Sequence, residues 1–136
     1  MYKSFTVKTK ERTEVIEITQ TVQSIVDEQG VSSGICCVFI PHTTAGIMIN
    51  ERCDGDVAQD ITTKLDELVP RSSEFRHCEG NSDAHIKASL IGTSRNVIIA
   101  EGRLLLGTWQ GLFFFEFDGP RTRTVWIQIL REETQG

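Results

Sequence analysis

A chain of 136 residues, 39% hydrophobic and 24% charged, fits one domain; it can bury about two thirds of its unfolded surface and needs no staple to hold a core. Its net charge of −5, with Lys and Arg dispersed and no basic run, argues against nucleic acid or an anionic membrane as partner. No apolar run approaches a membrane span and no signal-peptide pattern precedes the first strand, so a cytoplasmic protein is expected. The four cysteines (Cys36, Cys37, Cys53 and Cys78) have neither zinc-ribbon nor Cys-x-x-Cys spacing and are read as reduced, mostly buried thiols.

In chain order, Lys3, Phe5 and Val7 alternate with Ser4, Thr6 and Lys8, the pattern of a half-buried strand. A second strand is expected over Thr13–Ile18. Val22, Ile25 and Val26 then fall at helical spacing; Thr19 or Thr21 can cap the start and Gly30 the end, which predicts a helix over residues 20–29. Ile35–Ile40 is an apolar run of strand length ended by Pro41, so it is central in its layer. Ile47–Glu51 follows as a strand. Asp54 or Asp56 opens a helix whose stripe is Val57, Ile61, Leu65 and Leu68, stopped by Pro70. After a loop, Ser82 or Asp83 can cap a short helix to about Leu90. Strands over Asn96–Ala100, Arg103–Leu106, Leu112–Phe117 and Thr124–Leu130 complete the chain. The fold class is α+β: about eight strands and two to three helices in a single domain over residues 1–136.

Two polar clusters interrupt this pattern. His77-Cys78-Glu79-Gly80-Asn81-Ser82-Asp83-Ala84-His85 contains no large apolar residue, and Pro41-His42-Thr43-Thr44-Ala45-Gly46 follows a core strand. All three histidines lie in these clusters. Neutral imidazoles at His42, His77 and His85 would suit one divalent metal, zinc being the expected ion, with a coordination position left open. The spacing is not diagnostic, and three unrelated polar contacts explain it as well. Glu51 and Asp83 are the candidate acid–base carboxylates, against second-shell support for Glu51 and helix capping for Asp83. A third cluster, Glu101–Gly111, sets Arg103 beside Trp109 and Gln110 among three glycines. It reads as a tight hairpin with a core tryptophan, or as an aromatic face and a cation for a phosphorylated heterocycle.

Four ordered segments carry a resemblance. His42-Thr-Thr-Ala-Gly-Ile with Asn50-Glu51 and Asp54, Glu79-Gly-Asn-Ser-Asp-Ala-His85, Gly102-Arg-Leu-Leu-Leu-Gly-Thr-Trp-Gln110 and Glu116-Phe-Asp-Gly-Pro-Arg121 resemble the YjbQ-like family, labelled secondary thiamine-phosphate synthase. The resemblance spans about residues 1–131. It implies a β-sandwich or distorted barrel, a homotrimer, and a metal or anion site near the histidines. The implied reaction joins hydroxymethylpyrimidine diphosphate to thiazole phosphate and releases diphosphate, as a main or a side activity. On that reading Asp83 and Glu51 are catalytic, and Thr43, Thr44, Asn50, Gly80, Asn81, Arg103, Trp109 and Gln110 bind substrate. Magnesium can accompany a diphosphate in addition to zinc. A metal-dependent hydrolase and a non-catalytic metal- or small-molecule-binding trimer are the alternatives. The oligomer is expected from apolar surplus where the Leu112–Phe117 strand lies beside the strand of Trp126, Ile127 and Ile129.

Overall fold

The structure, a computed structural model, describes residues 1–72, 74–77 and 79–133; Cys78 lies outside them. Along the chain these form β1 (Lys3–Lys8), β2 (Glu14–Glu17), α1 (Thr19–Gln29), β3 (Gly34–Phe39), β4 (Ala45–Glu51), α2 (Gly55–Leu68), α3 (Ser82–Ile91), β5 (Ser94–Ala100), β6 (Arg103–Leu104), β7 (Gln110–Glu116) and β8 (Thr122–Arg131). The α+β reading holds. Two antiparallel sheets, ordered β1-β8-β3-β5-β6 and β2-β7-β4, curl toward each other as a half-barrel.

Period-2 alternation decides what each face of a strand meets. In β7, Leu112 and Phe114 point into the core between the sheets, with Val38, Ile47, Val125 and Ile127. Helix α1 adds Val22, Ile25 and Val26 to that core. Phe113 and Phe115, with Phe117 just beyond the strand, face the other way into a second apolar layer. Helices α2 and α3 cover this layer, with Ala84 and Ala88 buried and Ile61 and Leu65 half-buried. No described residue of α2 is fully buried, and Leu68 at its end is exposed.

Three expectations need correction. Strand β7 does not lie beside β8: its partners are β2 and β4, and helices cover its second face, so its phenylalanines leave no apolar surplus. The exposed apolar surface is instead the outer face of the larger sheet. Ile35, Phe39, Ile98, Trp126 and Leu130 are each more than a third exposed there, and Phe39 stacks on Trp126 with ring centroids 5.9 Å apart. The helix starts also shift. Ile18 rather than a threonine occupies the N-cap of α1, because the Thr19 hydroxyl accepts the Leu112 N–H and ties the helix to β7. Asn81 rather than Ser82 or Asp83 is the N-cap of α3. Asp54 caps α2 as expected, accepting the Asp56 N–H at 3.0 Å.

Phe114 is fully buried between the sheets. Phe114→Ala is expected to cost about 3–5 kcal/mol in urea unfolding, whereas Leu68→Ala should stay within about 0.5 kcal/mol.

Candidate functional site

The site is built where β3 ends. Pro41 stops that strand, and His42–Thr44 cross to β4, whose first residue, Ala45, pairs with Glu116 at the end of β7. Helix α3 closes over the same region. A Cβ on Gly46 would meet the Gly92 carbonyl at 2.7 Å, and Ile47 donates its N–H to that carbonyl at 3.0 Å, so the helix end sits directly on β4. At the other end of α3, Gly80 turns the chain with φ +74, and Asn81 faces the turn after β7.

Beneath the site lies a buried ion pair. Glu116 accepts from Arg123 Nε at 2.8 Å and from its Nη2, from the Thr9 hydroxyl at 2.8 Å and from the Asp118 N–H at 3.1 Å. Arg123 Nη2 also donates to the Thr44 hydroxyl at 2.8 Å. Burial would raise the Glu116 pKa, but the hydrogen bonds from Arg123, Asp118 N–H and Thr9 outweigh it and hold the carboxyl below its ordinary value. Asp118 is likewise pushed up by burial and brought below its ordinary value by the Asn81 amide and Arg121.

Over this pair opens a polar cleft of about 320 Å³, walled by His42, Thr43 and Thr44, by Asn81 and His85, and by Asp118, Arg121 and Arg123, with Pro41 and Glu79 at its margin. Arg121 is held by Asp118 through Nε to the carbonyl at 2.8 Å and Nη2 to the carboxylate at 3.0 Å. Among the described residues, no protein acceptor takes Nη1 of either arginine. Asn81 donates Nδ2 to Asp118 at 2.9 Å, which leaves its buried Oδ1 without a donor. Flipping the amide would set two acceptors face to face, so the orphan oxygen is fixed on that side.

The expected site residues divide. His42, Thr43, Thr44, Asn81 and His85 share the cleft. Gly80 is the adjoining turn. His77 stands beside it, its ring edge-on to His85 at 5.4 Å and its Nε2 3.7 Å from Glu79 Oε2. Asn50, Glu51, Trp109 and Gln110 do not join them. Glu51 pairs with Gln110 at the opposite end of β4, six residues from Ala45 and hence about 20 Å away along the strand. Arg103 is at the far end of β5, paired with Ala100, whereas the cleft side of that strand is Ser94. Trp109 is exposed rather than in the core.

Asp83 also needs correction. Its carboxylate is 2% exposed and takes both Arg12 Nη1 and Nη2 at 3.2 Å, with Lys87 Nζ at 3.8 Å. Lys87 bridges on to Asp66 of α2. Asp83 therefore locks α3 against the β1–β2 loop and does not face the cleft.

As arranged here, the three histidines do not converge as a metal centre. His42 Nε2 accepts the Thr124 N–H at 2.8 Å, so that nitrogen is not free for an ion. Among the described residues, no three His, Cys, Asp or Glu side chains are grouped to hold a metal.

Sequence reading missed Glu116, Asp118, Arg121 and Arg123 as functional groups. The signals were present. Glu116 is a lone carboxylate inside Leu112–Phe117, and Arg123 shares an alternation face with Val125 and Ile127. A charge on a core face needs a partner, and these two are each other's.

Fold and cleft together define a small α+β half-barrel protein with a polar cleft that two arginines line. Comparison with known proteins gives the family. The sequence profile described as "UPF0047 protein YjbQ-like" matches residues 3–132, and the chain belongs to that family. It is 50% identical over 131 residues to the UPF0047 protein YugU of Bacillus subtilis, covering 96% of this chain and 99% of the relative. The UPF0047 protein MJ1081 of Methanocaldococcus jannaschii is 49% identical, covering 95% and 94%. Among solved structures, a Clostridium acetobutylicum protein described as an uncharacterised member of the YjbQ/UPF0047 family superposes with TM-score 0.92 at 52% identity, covering 94% and 99%. A Sulfolobus solfataricus YbjQ-like protein of unknown function gives TM-score 0.92 at 36% identity, covering 97% of each chain.

Because the folded pKa of Glu116 is depressed, the unfolded state binds its proton first as pH falls. Its stabilising effect is present above the ordinary carboxylate value near 4.5 and is lost below it, through the folded value. Glu116→Gln leaves Arg123 as a buried charge without its counter-ion, so a loss of about 3–5 kcal/mol at pH 7 is expected, with a flatter acid limb in the stability–pH curve. Denaturant melts between pH 3 and 7 measure both.

Proposed function

We propose that the cleft binds a phosphorylated heterocycle and that the reaction is of the secondary thiamine-phosphate synthase type. Hydroxymethylpyrimidine diphosphate and thiazole phosphate join, with release of diphosphate. The observation that carries this reading is the pair of guanidiniums, Arg121 and Arg123, held rigidly by Asp118 and Glu116 in one polar cleft. Displacement at the pyrimidine methylene forms a C–N bond to the thiazole nitrogen and breaks the C–O bond to diphosphate, which departs with the electron pair. Two fixed guanidiniums suit that developing charge, because donors already in place need no reorganisation. Arg121 and Arg123 take the phosphate-binding role expected of Arg103, and no step runs through a metal.

The chains assemble as a homotrimer through the outer face of the larger sheet. Tyr2, Phe39 and Trp126 form an aromatic cluster there, with Tyr2 and Trp126 centroids 5.6 Å apart. Ile35, Ile98 and Leu130 continue it along adjoining strands. Exposed apolar patches of this kind mark association surfaces.

Diphosphate release should require both substrates, and Arg121→Ala should lower it by about 10²-fold or more. Release from the pyrimidine diphosphate alone would indicate hydrolysis, and no release from any phosphorylated heterocycle would indicate a binding protein. Light scattering at micromolar concentration should give three times the 15.3 kDa chain mass, and Ile98→Glu should reduce it to one. A wild-type monomer would remove the trimer.

A further inference from the structure

His42 is held in an unusual hydrogen-bonding state. Thr124 donates its backbone N–H to His42 Nε2 at 2.8 Å, and a donor aimed at a ring nitrogen requires a lone pair there. In the neutral ring the proton then sits on Nδ1. Turning the ring over would face the Thr124 N–H with a carbon, so the backbone of β8 selects the orientation as well as the tautomer. Among the described residues nothing accepts a hydrogen bond from Nδ1, and this nitrogen is not among the buried polar atoms without partners. It is therefore unengaged and not sealed from solvent. The imidazole lines the cleft together with Arg121 and Arg123.

We propose that His42 works as a neutral hydrogen-bond donor through Nδ1 to a phosphate oxygen in the cleft, rather than as a base or a metal ligand. The target rests on the phosphate reading given above; the tautomer does not. Burial, and then the charge of Arg123, keep the imidazole below its ordinary pKa, so it stays neutral near pH 7. A neutral imidazole donates while keeping its proton, and so can polarise an oxygen on which charge develops. Lowered basicity suits an imidazole to this role. The Thr124 amide does for this ring what a carboxylate does for a catalytic base, with the opposite polarity. A carboxylate would hold a proton on the nearer nitrogen and leave the far one basic. The amide leaves the far nitrogen as the donor.

Ring-nitrogen NMR of ¹⁵N-labelled protein tests this directly. Only three histidines need assignment, and His42→Asn removes the relevant signals. The free protein near pH 7.5 should show His42 protonated on Nδ1. Protonation on Nε2 would overturn the proposal, and so would added zinc bound directly by the His42 ring. Inorganic diphosphate should then shift the Nδ1 resonance. Diphosphate that perturbs Arg121 and Arg123 but leaves Nδ1 unmoved would overturn the donor role alone. No diphosphate binding at all would overturn the phosphate reading and remove the donor's target, while the tautomer would still be measured. Two variants separate the ring nitrogens. His42→Gln places an amide where Nε2 was, keeping an acceptor for Thr124 but no donor at Nδ1. It should weaken diphosphate binding by about ten- to a hundredfold with melting temperature little changed. His42→Asn places a donor near the Nδ1 position and should bind diphosphate more tightly than His42→Gln. The reverse order would count against the assignment.

Discussion

A carboxylate and a guanidinium removed from water can persist only if nearly every lone pair and proton between them finds a partner. Glu116 and Arg123 meet that demand by recruiting Thr9 beyond β1, Thr44 ahead of β4 and the Asp118 amide after β7. Satisfying one pair therefore fixes three chain segments distant in sequence. The cleft is the outer side of the same construction: Arg123 shows a little of itself to solvent because its inward edge is already occupied. Packing and site geometry are one constraint here.

The same economy runs through the groups around the pair. Asp118 holds Arg121 and Asn81, and Arg12 holds Asp83 at the start of α3. Each of these groups thus rests on a charged or polar partner that fixes its place. The histidines follow another rule. His85 rides on a helix pinned by salt bridges, and His42 sits at a strand end and takes a backbone amide from β8. Positional precision comes from the sheets, and the loops inherit it.

Much of this could be read from the sequence where the signal is local. Period-2 alternation and the Val57–Leu68 stripe located strands and helices, because burial on one face leaves a periodic trace. The two histidine clusters stood out because polar groups at the ends of apolar runs have no packing reason to be there. What could not be read was distance along a strand. Asn50 and Glu51 follow His42 closely in sequence, yet β4 carries them to the other end of the molecule. Trp109 and Arg103 share a motif-rich segment with nothing local to show that it lies far from the histidines. Asp83 looked chemically available because its partner, Arg12, is seventy-one positions away. Pairing across the fold is a tertiary fact, and no window of sequence contains it.

Helix α2 has a consequence of a different kind. It rests on the second apolar layer through half-buried Ile61 and Leu65 and is tied to α3 by the Asp66–Lys87 bridge, with no residue wholly removed from water. An element held by so little apolar area can detach without opening the core between the sheets, because the inner residues of β4 and β7 do not depend on it. Its amides would exchange with solvent long before those of β3 or β8, and its surface positions can drift in evolution at small energetic cost. The helix covering the phenylalanines is then a separate cooperative unit, and the half-barrel beneath it sets the global stability.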